Sequence, residues 1–215
     1  MTENQEFIYA SIRNQVRSGL FSLEEIELNI FEEIEDNGFE KEISNEWALS
    51  TIEKEIKALD TDSEQWEKET DVDKLVKVFD ALCKENIIAL HCAGYTMSDG
   101  ETEVVEIEVE LRNHGIQSDG YCFYHQQDLE AAVNESRNLF LAFQKIDNED
   151  EATAVAVGKR IVQKLKEYGF KTNWEETVHR RIEITNFCWK KKFDNTTRDL
   201  LDYEQVLELM LNNKK

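Results

Sequence analysis

The stretch DVDKLVKVFDALCKENIIALHC, residues 71–92, decides the fold class. Val72, Leu75, Val76, Phe79 and Leu82 recur at helical spacing, Asn86 interrupts the pattern, and Ile87 to Cys92 follows as a short apolar run. A one-sided helical stripe needs a surface to cover, and an apolar run of this length bounded by a turn residue reads as a buried strand. The core sheet begins here, with helices packed against it.

Upstream the chain is helical. Thr2 with Gln5, and Ser22 with Glu25, have the spacing in which a hydroxyl and a side chain three residues on satisfy each other's backbone donors. Behind the first pair, Ile8, Ile12 and Val16 predict a helix over about 3–17, ended by Gly19; behind the second, Ile26, Ile30 and Ile34 lead to Gly38. A third helix, about 44–59, carries Ala48, Ile52, Ile56 and Leu59 on one face, and the polar residues 60–70 read as a connector.

Downstream the types alternate. Residues 101–114 are ambiguous: Val105, Ile107, Val109 and Leu111 alternate with charged residues as in a half-buried strand. Ser98 with Glu101 has capping-box spacing, Val104, Ile107 and Leu111 fit a helix, and Gly115 suits its stop. Helix is the favoured reading. Then come an aromatic strand at 121–125, a helix at 128–138, a strand at 139–144, a loop at 145–150 and a long helix from 151 to 168. A hairpin of two strands, 170–174 and 181–189, and a terminal helix at 199–212 close the chain. The expected architecture is α+β: a helical N-terminal region packed on a mostly antiparallel sheet of about five strands, with helices on one face. Three regions are expected, an acidic helical 1–69, an α+β core 70–193, and a C-terminal helix 194–215.

Composition narrows the function classes. With 40% hydrophobic and 33% charged residues intermixed along the chain, a globular fold is expected and not a disordered one. No apolar stretch approaches the roughly 20 residues of a membrane span, and the N-terminus lacks the basic and apolar regions of a secretory signal, so a cytoplasmic location without membrane attachment is expected. Cys83, Cys92, Cys122 and Cys188 lie far apart in apolar surroundings and read as reduced. There is no proline, so turns fall to Gly, Asn, Asp and Ser.

Net charge is −21, and it is uneven: residues 1–110 hold 29 acids and 9 bases, residues 111–215 hold 17 and 16. Such a field repels nucleic acid, making it an unfavourable partner, and accelerates approach of a basic protein to the acidic N-terminal half. The sequence sets no oligomeric state.

Phosphate-loop, dinucleotide, zinc-protease and nucleophile-elbow motifs are absent, and no cofactor is expected. The strongest candidate for chemistry is Tyr124-His125-Gln126-Gln127-Asp128, where a strand gives way to a helix. An imidazole titrates near neutrality, and Asp128 or Asp99 is a carboxylate suited to orienting it; if the protein is an enzyme, His125, Asp128 and Asp99 carry catalysis. The simpler reading is that Asp128 caps the helix and His125 bonds a loop. The loop Gly94 to Gly100 offers Tyr95 and Ser98 for a small ligand, although turn and capping chemistry explains it equally well. Basic residues gather late, at His179-Arg180-Arg181 and Lys190-Lys191-Lys192, with Trp174 and Phe193 as stacking partners for an anion, or as a solvated patch facing the protein's own acids. Cys122 and His125 point to opposite faces of an extended strand, so no metal site is expected.

Trp47, Ile87-Ile88-Ala89, Gly94 to Gly100, Gly120 to Asp128, Trp174, Arg181 to Ile184 and Trp189 together resemble a bacterial family known only as a domain of unknown function. The resemblance covers about residues 45–193, implies that they form one unit, and adds weight to His125, Gln127 and Asp128, while implying no activity. The first 40 and last 20 residues fall outside it and read as additions. The leading functional expectation is a non-enzymatic protein-binding or regulatory module. Its alternative is a small-molecule enzyme or ligand-binding domain in which His125, Asp128, Asp99 and Arg181 line a cleft, with Tyr95, Ser98, Gln127 and Trp174 in binding roles.

Overall fold

The computed structural model describes residues 1–134, 137–147 and 150–212. Parts of two sequence expectations, the end of the helix at 128–138 and part of the loop at 145–150, lie outside the described residues. The chain forms two compact units, Met1–Thr70 with Lys190–Asp199, and Asp71–Trp189 with Leu200–Lys215. Residues 45–193, expected as one unit from the family resemblance, are therefore divided. The third helix and its connector belong with the first two helices, because the apolar stripes of all three face one another.

The first unit is built from α1 (Glu3–Ser18), α2 (Leu23–Asp36) and α3 (Asn45–Ser63), each packed on the other two. Thr2 and Ser22 form the reciprocal capping boxes that their spacing predicts, and Gly19 ends α1 in the left-handed conformation at φ 63°. Ile8, Ile12, Ile30 and Ala48 are fully buried, with Ile26, Ile34 and Ile52 nearly so. At about 25 cal/mol per Å² of apolar surface removed from water, these isoleucines supply the main driving force for the bundle.

The second unit runs α4 (Asp71–Lys84), β1 (Ile87–Leu90), α5 (Met97–Asn113), β2 (Gly120–Phe123), α6 (Gln126–Asn134), β3 (Asn138–Gln144), α7 (Glu151–Glu167), β4 (Lys171–Asn173), β5 (Ile182–Thr185) and α8 (Glu204–Asn212). The five strands form one sheet in the order β1-β2-β3-β5-β4. β1 and β2 pair in parallel, Ile87 opposite Gly120, and the other three pairings are antiparallel. The segment whose period was ambiguous is helix α5: Val104 and Leu111 are fully buried, while Val105 and Val109 stand 47% and 53% exposed.

Helices cover both faces of this sheet, which corrects the expectation of one covered face. A Cβ on Gly120 would meet Val157 of α7 at 2.7 Å, and a Cβ on Gly100 of α5 would meet Phe123 at 2.4 Å. Gly120 and Phe123 are three apart in β2 and point to opposite faces, so α7 and α5 lie on opposite sides. The physical reason is the parallel β1-β2 pair: its return path is a crossover helix, and strands apolar on both sides need cover on both. Among the described residues, no helix is long and apolar enough to cross a membrane.

Candidate functional site

The site lies where β1 and β2 end side by side. Beyond the strands the two backbones stay tied: the Ala93 N–H donates to Tyr124 O at 2.9 Å, and the Gln126 N–H to Gly94 O at 3.0 Å. This brings the first turns of α5 and α6 next to each other. Gly94 is required between them. Its φ is 60°, and a Cβ there would sit 2.4 Å from the Asp99 Cβ.

At α5 the cap differs from the expected Ser98–Glu101 pair. Helix geometry begins at Met97, so Thr96 is the cap, and the Asp99 carboxylate accepts from the Thr96 N–H at 2.9 Å and its hydroxyl at 2.8 Å. Those bonds, the backbone one first, hold the Asp99 carboxyl below the usual carboxylate range, with a smaller pull from His125. Ser98 is exposed within the helix, where its carbonyl accepts from the Thr102 hydroxyl.

At α6 the cap is histidine. His125 Nδ1 accepts from the Asp128 N–H at 3.2 Å, and the Asp128 Oδ2 lies 3.4 Å from the donating His125 N–H. The pair forms a capping box with imidazole in the place of a hydroxyl. Because Nδ1 accepts, the proton of the neutral ring belongs on Nε2, which lies 3.2 Å from the Asp128 Oδ2. Arg181 completes the cluster: its Nη1 donates to both Asp128 oxygens at 2.8 Å and lies 3.2 Å from His125 Nε2. A protonated Nε2 cannot accept from the guanidinium, so that last contact is a cation set against further positive charge on the ring. Burial lowers the His125 pKa most, Asp128 pulls it up, and Arg181 lowers it again, leaving it below the ordinary histidine value.

Of the residues singled out in the sequence, the fold brings together His125, Asp128 and Arg181, and places Asp99 at the neighbouring helix start. His125 and Asp128 are only 7% and 6% exposed. Tyr95 and Gln127 stand exposed, Tyr95 at 52%. Trp174 lies on the other face of the sheet: it packs edge-on to Phe143 at 5.2 Å, while Arg181 lies over Phe140 at 5.1 Å, and residues 140 and 143 point oppositely from β3. The Trp174 N–H is shared by the Thr177 and Arg180 carbonyls, which makes it a structural anchor for the β4–β5 connection.

Two contributors escaped the sequence reading. Phe140 supports the guanidinium from beneath, a cation–π contact that only the β3-β5 pairing creates. Glu103 on α5 has its carboxyl raised, chiefly by burial. Burial, then Glu103, Glu130 and Asp128, push the nearby Cys92 thiol up to about 12. A thiol held protonated to that degree is a poor nucleophile. Among the described residues, no three His, Cys, Asp or Glu side chains are grouped to hold a metal ion.

No curated protein and no solved structure matches the chain. A family model does, over residues 1–193, so the match begins at the first residue and takes in α1 and α2, which the resemblance had left out as additions. The chain belongs to the family described as Domain of unknown function (DUF6891).

Proposed function

We propose that the protein is a non-enzymatic binding module that receives a basic partner on helix α2. One observation carries this reading: α2 holds seven carboxylates in fourteen residues and no basic residue. Among the described residues, no Lys, Arg or His forms an ion pair with Glu24, Glu27, Glu32, Glu35 or Asp36. Leu23 and Leu28 stand 52% and 55% exposed among them. An apolar centre ringed by uncompensated charge of one sign suits a partner that supplies apolar contact and a cationic rim, with the charge setting encounter rate and specificity.

The contrast with the rest of the first unit supports the choice of helix. Five acids of α3 and the segment after it are compensated: Glu55 and Asp62 by Arg17, Glu53 by Lys57, Asp60 by Lys192 and Glu67 by Lys190. The late lysines therefore neutralise Asp60 and Glu67, which lie outside α2. For the alternative, an enzyme or ligand site at His125 and Asp128, the residues are in contact. Their polar atoms, however, are spent on capping α6 and binding Arg181, which favours a structural role.

The test is affinity capture at low and high salt with the full chain, an α2 variant carrying Glu27→Gln, Glu32→Gln and Glu35→Gln, and a control carrying Glu101→Gln, Glu106→Gln and Glu110→Gln on α5. The expected result is a basic partner recovered at low salt by the wild type and the control, and lost with the α2 variant or at high salt. Equal recovery by the α2 variant, or no recovery by the wild type, would overturn the proposal.

A further inference from the structure

The sheet of the second unit has two ends that are treated differently. At one end α8 packs on β1, and all four β1 residues are fully buried. At the other, β4 pairs with β5 alone, and Lys171 and Asn173 are exposed. Among the described residues, the outer edge of β4 has no backbone partner. Beside it runs a groove of about 610 Å³, walled by Lys159, Val162 and Lys166 of α7 and by Thr172 and Trp174. An open edge next to a helix-lined groove is the geometry that accepts an added strand.

The charges choose the strand. Antiparallel partners must share backbone orientation, so a strand pairing with its own copy has its two-fold axis through a residue and not between two. With the axis at Asn173, Lys171 of each copy stands opposite Glu175 of the other, and Thr172 stands opposite Trp174. Among the described residues, Lys171 and Glu175 make no ion pair of their own, and both are exposed. Thr172 and Trp174 share the groove face, where an aromatic residue beside a β-branched one is a favourable cross-strand pair. The edge is locally balanced although the chain is acidic: Lys159 and Glu176 pair at 2.8 Å, and Lys171 and Glu175 match across the axis. A short edge strand carrying Lys discourages indiscriminate pairing, yet this one is complementary to itself.

We propose that two copies of the chain associate through β4, antiparallel about Asn173, joining their sheets. Sedimentation of the purified full chain over a concentration series, with hydrogen exchange across residues 171–175, tests it. The wild type should dimerise, with those amides gaining protection as concentration rises. Lys171→Glu alone and Glu175→Lys alone should each weaken dimerisation by at least about tenfold, since either turns both cross-copy pairs into like-charge pairs. The double variant should restore it. Both positions are exposed, so far-ultraviolet circular dichroism should show every variant folded. A wild type that stays monomeric, a dimer indifferent to the single changes, or single changes that the double variant does not rescue would each overturn the proposal. None of these outcomes bears on α2.

Discussion

His125 offers the sharpest test of how the site is built. In the fold its Nδ1 is committed to the Asp128 N–H, and its Nε2 lies 3.2 Å from both the Asp128 carboxylate and Arg181. Adding a proton requires Nδ1 to give up the helix cap and puts a second cation beside the guanidinium, with burial adding to the penalty. The folded pKa is therefore depressed while the unfolded ring titrates near 6.5. Above about 6.5 neither state binds the proton and stability is unaffected; as pH falls below it the unfolded chain takes up the proton first, and stability is lost until the folded pKa is reached. The slope from one such group is at most about 1.4 kcal/mol per pH unit. Asn caps helices as well as any residue and does not titrate, so His125→Asn should keep the cap and lose this slope, whereas His125→Ala should also lose about 1 kcal/mol of capping at neutral pH. Urea unfolding at pH 7.5 and 5.5 reads both effects, and subtracting the Asn variant from the wild type removes the background from other groups. If the two lose equal stability between those pH values, the ring is not held neutral by this geometry and the account of the site is wrong.

Replacing Arg181 with Met leaves the Asp128 carboxylate, 6% exposed, without its cation; a loss of about 1–3 kcal/mol in chemical denaturation is expected, with a shallower acid slope because the charge opposing the imidazolium is gone. Gly100→Ala brings a Cβ to 2.4 Å from the Phe123 ring and 2.7 Å from Ala93 O, so overpacking of about 1–3 kcal/mol should outweigh the gain of up to about 1 kcal/mol in helix propensity and lower the thermal midpoint. Iodoacetamide labelling of the folded chain at pH 8, mapped by mass spectrometry, should find Cys92 about a thousandfold slower than in the unfolded chain, the ratio of thiolate fractions for a thiol at about 12 against an ordinary one.

The local parts of the fold were open to a sequence reading because their causes are local. Capping boxes at Thr2 and Ser22 and the isoleucine stripes behind them specify α1 and α2 within a residue or two. α5 was harder: Ile107 and Leu111 serve both a period of two and a period of 3.6, and only Val104, fully buried, breaks the tie, with Val105 and Val109 left in solvent. The parallel pairing of β1 with β2 has no local signature. Its consequence does, since Ile87-Ile88-Ala89-Leu90 is apolar at every position, the composition of a strand covered on both faces. At the site, His125 and Asp128 are neighbours in sequence and were readable as such. That Arg181 should meet them, 53 residues away from Asp128, depends on β3 pairing with β5, which periodicity does not reveal.

Charge shows the same limit from the other side. Counted along the chain, nearly all the excess acid falls before residue 111. Counted by compact unit, the first holds 21 acids against 10 bases and the second 25 against 15, so the two carry almost equal net charge. The difference arises because residues 190–199 return to the first unit with Lys190, Lys191, Lys192 and Arg198, two of which sit on Asp60 and Glu67. Among the described residues of the first unit, Glu24, Glu27, Glu32, Glu35 and Asp36 of α2 form no ion pair, and the helix contains no base. At a Debye length of about 8 Å in physiological salt, a partner responds to the charges nearest its landing point, not to the sum over a hundred residues. The binding reading therefore belongs to α2 specifically, and three glutamate substitutions that abolish capture there should leave it intact when made on α5, a helix of the other unit with six acids and one arginine.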